Sequence, residues 1–176
     1  MKVSEALAAL CRIAPGSILA GGYLRDMTFG KPVKDVDFFV SYGTTCETLS
    51  TVFPDARREI YAEFLYYSSS EVIDVISIGT VGGYPAQVIV LKPYLDPMDR
   101  VAHMDFGFCQ IACGIQGGDL TAAFHKDKRN NTATLVYCES KQEFDRSMKR
   151  WDRLKLKYPE RTLVIPEEYQ QWQHQA

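Results

Sequence analysis

The sequence has no hydrophobic run long enough to cross a bilayer: its apolar stretches are short and interrupted by charges, which excludes a helical membrane span. It has no excess of positive charge either. Lys and Arg number 20 against 22 Asp and Glu, a formal net charge of −2, so no overall basic field marks a nucleic-acid binder and any polynucleotide contact has to be local. A paired cysteine set is missing too. Cys11, Cys46, Cys109, Cys113 and Cys138 are an odd number in apolar surroundings, which argues against a disulfide framework and for a reducing, cytoplasmic compartment. Cys109 and Cys113 have no partner pair at zinc-site spacing and read as small buried hydrophobes. His103, His125 and His174 have no serine or cysteine nucleophile pattern beside them, so a catalytic triad has no footing. Internal repeats, low-complexity tracts and linkers are absent.

What is present fits one domain of 176 residues, with or without an extension. The opening MKVSEALAALCRIAPG carries Glu5 and Arg12 within a helical pattern, and so reads as a first helix over 4–13 rather than a signal peptide. A strand follows at 17–20, then a short helix at 23–29 and a second strand at 36–40. A helix is expected at 45–52, capped by Thr44 or Thr45, and strands at 63–67, 72–78 and 86–91. Residues 107–112 favour a helix. Strands are expected at 119–124 and 133–138, with KDKRNN between them as a polar turn and Gly117-Gly118-Asp119 as another. The last long helix runs 141–157, with Ser140 and Glu143 in capping-box spacing, and the tail docks through Tyr169 and Trp172 or frays. The fold class is α/β (α+β): a mixed β-sheet of about five or more strands flanked by helices.

Chemistry concentrates in residues 19–40. Two glycines, Gly21 and Gly22, close a hydrophobic strand, Arg25 and Asp26 follow, and Asp35-Val36-Asp37 opens the next apolar run. Strand periodicity sends Asp35 and Asp37 to one face and Val36 and Phe38 to the other, so the two carboxylates suit a hard divalent cation. Glycines without Cβ atoms let a phosphate approach the backbone, and the planar fork of Arg25 can reach triphosphate oxygens, with Lys31 and Lys34 in the intervening turn. Asp-x-Asp alone is a common tripeptide. Its position a short helix after the glycines is what suggests metal-dependent phosphoryl transfer. Arg146, Arg150 and Arg153 fall on one face of the last long helix, where they either meet phosphates or form a solvated face. Phe64, Tyr66 and Tyr67 read as strand core before they read as a base-stacking surface.

GGYLRDMTFGKPVKDVDFFV resembles the first motif of the DNA polymerase β-like nucleotidyltransferases, in particular the head domain of bacterial-type tRNA CCA-adding enzymes and poly(A) polymerases. HMDFGFCQIAC is similar to that family's Arg-Arg-Asp-Phe segment, with Asp105 and Phe106 at its Asp-Phe and His103 and Met104 in place of the arginines. AQVIVL occupies the place of the strand that carries a third acidic residue, and has Gln87 there; Asp74 and Asp105 stand as substitutes. The resemblance covers about residues 5–125 and implies a catalytic head over 1–139, with a C-terminal helix and tail over 140–176 packed on it. It implies Asp35, Asp37 and Asp105 as catalytic residues and Asp35 and Asp37 as metal ligands. Gly21, Gly22, Arg25, Asp26, Lys34, Arg150 and Arg153 become nucleotide contacts. The cofactor implied is Mg2+, with Mn2+ as the alternative, and the substrate an NTP. The reaction is transfer of NMP to an acceptor hydroxyl with release of pyrophosphate. The acceptor implied is an RNA 3′ end, of tRNA in particular; a protein or small-molecule hydroxyl, or a nucleotide-binding module without catalysis, are the alternatives. The compact form resembles phage or mobile-element versions of the family.

Overall fold

The structure, a computed structural model, describes residues 1–59 and 71–173. The strand expected at 63–67, with Phe64, Tyr66 and Tyr67, lies outside the described residues. The chain forms two compact units, Met1–Val101 with Ala112–Asp119, and Ala102–Ile111 with Leu120–Ala176.

The first unit begins with helix α1 (Val3–Ile13), whose start is held by Glu5 accepting the Lys2 N–H at 2.8 Å and whose stripe Ala6, Leu7, Ala9 and Leu10 is buried. Then come β1 (Ile18–Ala20), α2 (Gly22–Thr28), β2 (Val36–Val40) and α3 (Cys46–Ser50). Thr45 caps α3 by accepting the Thr48 N–H. The short β3 (Arg57–Arg58) has no signal in the sequence; β4 (Val72–Val81) and β5 (Tyr84–Leu91), over the strands expected at 72–78 and 86–91, form a hairpin about Gly82 and Gly83. After α4 (Asp99–Ala102), β6 (Ile111–Gly114) and β7 (Gly117–Leu120) complete a seven-stranded sheet of order β3-β4-β5-β2-β1-β6-β7. The sheet is mixed, with β2 and β5 parallel and the pairs β1/β2, β1/β6, β3/β4 and β4/β5 antiparallel.

Register explains the core. Val36, Phe38 and Val40 align with Ala86, Val88 and Val90, and Val88 with Ile76, on the face that packs with Leu7, Leu10, Leu49 and Phe53. Each such side chain removed from water contributes about 1.5–3 kcal/mol, so this face fixes the register of β2. A slip by one residue exchanges Val36 and Phe38 for Asp35 and Asp37 in the core.

The chain from residue 102 onward departs most from the sequence expectation. No helix forms at 107–112. Residues Gly107–Cys109 make a single 3-10 turn and Ile111–Gly114 becomes β6, because Ala112 and Cys113 pair with Ala20 and Leu19. Gly117-Gly118-Asp119 is strand rather than turn. KDKRNN lies mostly in helix α5 (Ala122–Asn130), capped by Thr121, which accepts the Phe124 N–H, and closed by Asn131 in the left-handed conformation. Only Thr132–Thr134 of the later stretch is strand, β8, and it pairs in parallel with an unanticipated β9 (Thr162–Val164). Between them α6 (Lys141–Lys157) starts as expected, with Ser140 Oγ accepting the Glu143 N–H, and buries Phe144, Ser147, Trp151 and Leu154. The tail forms α7 (Glu167–Gln173), where Tyr169 stacks on Trp172 and donates to the Val136 carbonyl.

Asp127 explains why α5 outweighs its turn-like composition. Its buried carboxylate accepts the N–H groups of Phe108 and Thr134 and the hydroxyls of Thr132 and Thr134 at 2.6–2.9 Å. Four charge-assisted bonds tie the helix to the 3-10 turn and to β8. Arg161 closes the arrangement from β9's side, donating to the carbonyls of Asp127 and Thr132 while its guanidinium lies 4.7 Å from the Phe108 ring centre.

Candidate active site

The glycine turn sits where β1 ends. Gly21 has φ 76° and ψ −128°, a conformation in which a Cβ is strongly disfavoured, and it sends the chain straight into α2. Gly22 neighbours both groups: a Cβ there would stand in ordinary contact, 3.8 Å from Arg25 Nη2 and 3.9 Å from Asp35 Oδ1. Turn, guanidinium and carboxylate are thus neighbours.

Arg25 and Asp26 are buried together, with side chains 6% and 3% exposed. Arg25 Nε donates to Asp26 Oδ1 at 2.8 Å and Nη2 lies 2.7 Å from the same oxygen. The Asp26 carbonyl accepts the Lys31 N–H, fixing the turn that leads into β2. Asp26 is therefore a group that orients Arg25 and the turn rather than one that faces solvent. Lys34 is its opposite, 86% exposed with its ammonium 3.7 Å from Asp35.

Burial alternates through the two carboxylates: Asp35 and Asp37 are half-buried, while Val36 and Phe38 are completely buried. Asp37 lies directly opposite Gln87 on parallel β5, and Gln87 opposite Ser77 on β4, so the three side chains share a face. Asp74 does not join them. It pairs with Val90, three residues beyond Gln87, which turns it to the opposite face, and Arg58 Nε holds its carboxylate at 2.8 Å. Asp74 is thereby ruled out as the substitute for a third acid. Among the described residues no group of three His, Cys, Asp or Glu side chains suited to a metal forms. The oxygen-bearing neighbours that register brings to Asp37 are an amide and a hydroxyl, and local spacing gives no sign of Ser77.

The remaining expected residues belong to the second unit. Asp105 is ion-paired to Arg150 Nη1 and accepts the Phe106 N–H at 2.9 Å, while Arg150 Nη2 reaches Cys109 Sγ at 3.8 Å. Arg153 is exposed on the same helix. His103 stacks on Tyr137 with ring centres 4.5 Å apart.

No protein-family model matches the sequence, and no curated protein matches it. Solved structures do. The chain superimposes on the Bacillus stearothermophilus CCA-adding enzyme in complex with CTP with a TM-score of 0.60, over 98% of this chain and 43% of that one, at 16% identity. A tRNA-processing enzyme in an apo form gives a TM-score of 0.64 over 97% of this chain and 45% of that one, at 15% identity. The fold is that of a nucleotidyltransferase. The Thermotoga maritima CCA-adding enzyme complexed with tRNA is similar as well, with a TM-score of 0.59 over 98% of this chain and 44% of that one, at 14% identity. This chain spans less than half the length of these nucleotidyltransferases, and at such identities the likeness is one of fold. Among the described residues no helix is long and apolar enough to cross a membrane.

Proposed function

We propose that the protein is a metal-dependent nucleotidyltransferase that moves an NMP unit from an NTP to an acceptor hydroxyl, with an RNA 3′ end, of tRNA in particular, as the acceptor. The observation that carries this reading is the convergence of Gly22, Arg25 and Asp35 at the end of β1 and the entry to β2, on a fold shared with CCA-adding enzymes. Asp35 and Asp37 fit Mg2+, or Mn2+ in its place: their donors are hard carboxylate oxygens, both side chains are half-buried, and the missing Cβ of Gly22 leaves room beside Asp35 Oδ1. When bound, the ion neutralises triphosphate charge and eases deprotonation of the attacking hydroxyl.

The chain's own residues account for the rest. Gly21 and Gly22 admit the triphosphate to the backbone, Arg25 stands beside Gly22 as a buried positive charge in an orientation set by Asp26, and exposed Lys34 adds positive charge at the mouth. The acceptor oxygen forms a bond to the α-phosphorus, and the bond from that phosphorus to the α,β-bridging oxygen breaks. Pyrophosphate leaves with the electron pair, and the hydroxyl proton passes to solvent. Within the second unit, Asp105 holds Arg150 by their ion pair, and exposed Arg153 adds a further cation to the same helix.

Pyrophosphate release from labelled NTPs, with Mg2+ or Mn2+ and bulk RNA, protein or small-molecule acceptors, tests the proposal. The parent is expected to release it and Asp35→Ala/Asp37→Ala to lose it; equal release by both defeats the reading. A second reading, a nucleotide-binding module without transfer, is favoured by Gln87 standing opposite Asp37 where a further carboxylate would strengthen the site. Thermal stabilisation by NTP without pyrophosphate release from any acceptor is its signature.

A further inference from the structure

One register row of the sheet is polar across four neighbouring strands. Asp37 pairs with Gln87, Gln87 with Ser77 and Ser77 with Arg57, so all four side chains leave the same face. The adjacent row, Phe38, Val88 and Ile76, leaves the other face and is completely buried. In the polar row Asp37, Gln87 and Ser77 are half-buried, and Arg57 is 76% exposed. Strand spacing of about 4.8 Å carries the row roughly 14 Å from Asp37 to Arg57.

The direction of this row matters because the attacking and leaving oxygens of phosphoryl transfer lie roughly in line, on opposite sides of the phosphorus. The glycine turn and Arg25 follow β1, which flanks β2 on one side; Gln87, Ser77 and Arg57 lie on β5, β4 and β3, on the other. A triphosphate over the glycine turn therefore leaves the β5 side to the acceptor.

We infer that Gln87, Ser77 and Arg57 form a track for a single-stranded polynucleotide acceptor, whose 3′ hydroxyl lies at Asp37. Gln87 and Ser77 offer hydrogen bonds to the terminal nucleotide, and the Arg57 guanidinium meets a backbone phosphate behind it. The inference rests on the nucleotidyltransferase reading and sharpens its acceptor: a small-molecule hydroxyl at Asp37 does not extend to Arg57. Two neighbours provide the internal contrast. Among the described residues Arg57 makes a loose contact with Glu59, 3.9 Å from its Nε, whereas the next residue, Arg58, points to the opposite face and closes on Asp74 at 2.8 Å.

The probe is a fluorescent single-stranded oligoribonucleotide dodecamer with a free 3′ hydroxyl, its binding followed by anisotropy against salt. Arg57→Ala is expected to weaken binding about fivefold to tenfold and to lower the salt slope by about one, as loss of a single phosphate contact does. Arg58→Ala, with the same charge change, is expected to bind as the parent, and thermal stabilisation by ATP is expected to be equal in all three proteins. Equal binding by the two variants, no binding of the dodecamer by the parent, or displacement of the dodecamer by an unstructured polypeptide at equal charge overturns the track. Binding requires no turnover, so this result is separate from the pyrophosphate-release test of Asp35 and Asp37.

Discussion

Asp127 and Asp35 carry the same side chain in opposite surroundings. The carboxylate of Asp127 is fully buried and accepts four hydrogen bonds from the 3-10 turn and β8. That of Asp35 is 39% exposed beside a glycine, with an exposed lysine 3.7 Å away. A carboxylate has about four lone-pair positions, so Asp127 has spent its capacity on holding the second unit together. Asp35 stands where an incoming cation can reach it. The difference teaches that acidity in this chain divides into structural and ligand-binding kinds, and that donor count separates them where sequence context does not.

The largest effect expected on this comparison is structural. Asp127→Asn keeps the shape but places amide hydrogens against donors, leaving buried N–H and hydroxyl groups unsatisfied, a loss of roughly 3–5 kcal/mol. Both tryptophans, Trp151 and Trp172, belong to the second unit, so tryptophan fluorescence in a urea titration reports on that unit alone. A midpoint unchanged from the parent breaks the contrast. Asp35→Ala is the converse: pyrophosphate release falls by about 10²–10³-fold, the range for removing one electrostatic contributor. Its urea midpoint, followed by far-UV circular dichroism so that the first unit is seen, stays with the parent's, since a half-exposed side chain with one distant ion pair stabilises little. Asp35→Ala unfolding as readily as Asp127→Asn dissolves the distinction.

A smaller effect, about 1–3 kcal/mol, is expected for Gly107→Ala. Its Cβ would fall 2.7 Å from Asp127 Oδ2 and 2.9 Å from the Ala123 carbonyl oxygen, a crowding against a carboxylate held by four hydrogen bonds and against helix backbone, neither of which moves cheaply. Gly22→Ala sharpens the comparison from the other side. Its Cβ meets ordinary contact distances of 3.8 and 3.9 Å, so stability is retained while the KM for NTP rises. The fluorescence titration for Gly107→Ala, far-UV circular dichroism in urea for Gly22→Ala, and initial rates against NTP concentration separate the two outcomes.

These pairs also mark how far the sequence could be read. Asp35, Val36, Asp37 and Phe38 announce their alternation locally, because strand period and burial agree within four residues; the hairpin about Gly82-Gly83 and the Ser140 cap of α6 are local in the same way. Asp127 was hidden in a charged run whose composition reads as solvated turn. Its burial depends on partners at Phe108, Thr132 and Thr134 that no periodicity connects, and with it went helix α5. Similarly, FGFCQIAC has the length and apolarity of a helix, and only pairing of Ala112 and Cys113 with β1 makes it strand. Whether Asp74 could serve the site turned on its offset from Gln87 across two strands, a property of register rather than of spacing.

The smallest effect concerns alkaline pH and again separates the units. Burial pushes the Cys138 thiol from its ordinary 9.0 up to about 11, against a lowering from a backbone hydrogen bond at Ser140 and with reinforcement from the carboxylates of Glu143, Asp105 and Asp145. The folded chain thus keeps a proton that the unfolded chain releases near pH 9. Its contribution to stability is complete below that pH and is lost as pH rises from 9 to about 11, because there the unfolded state binds fewer protons than the folded one. Tyr169, raised above its ordinary 10.0 mainly by burial, titrates in overlapping alkali with the same sign. Comparing Cys138→Ala with the parent isolates the thiol: the fluorescence-detected urea midpoint of the parent falls more steeply above pH 9 than that of the variant. Parallel pH profiles for the two proteins show that Cys138 is not the group whose burial the second unit maintains.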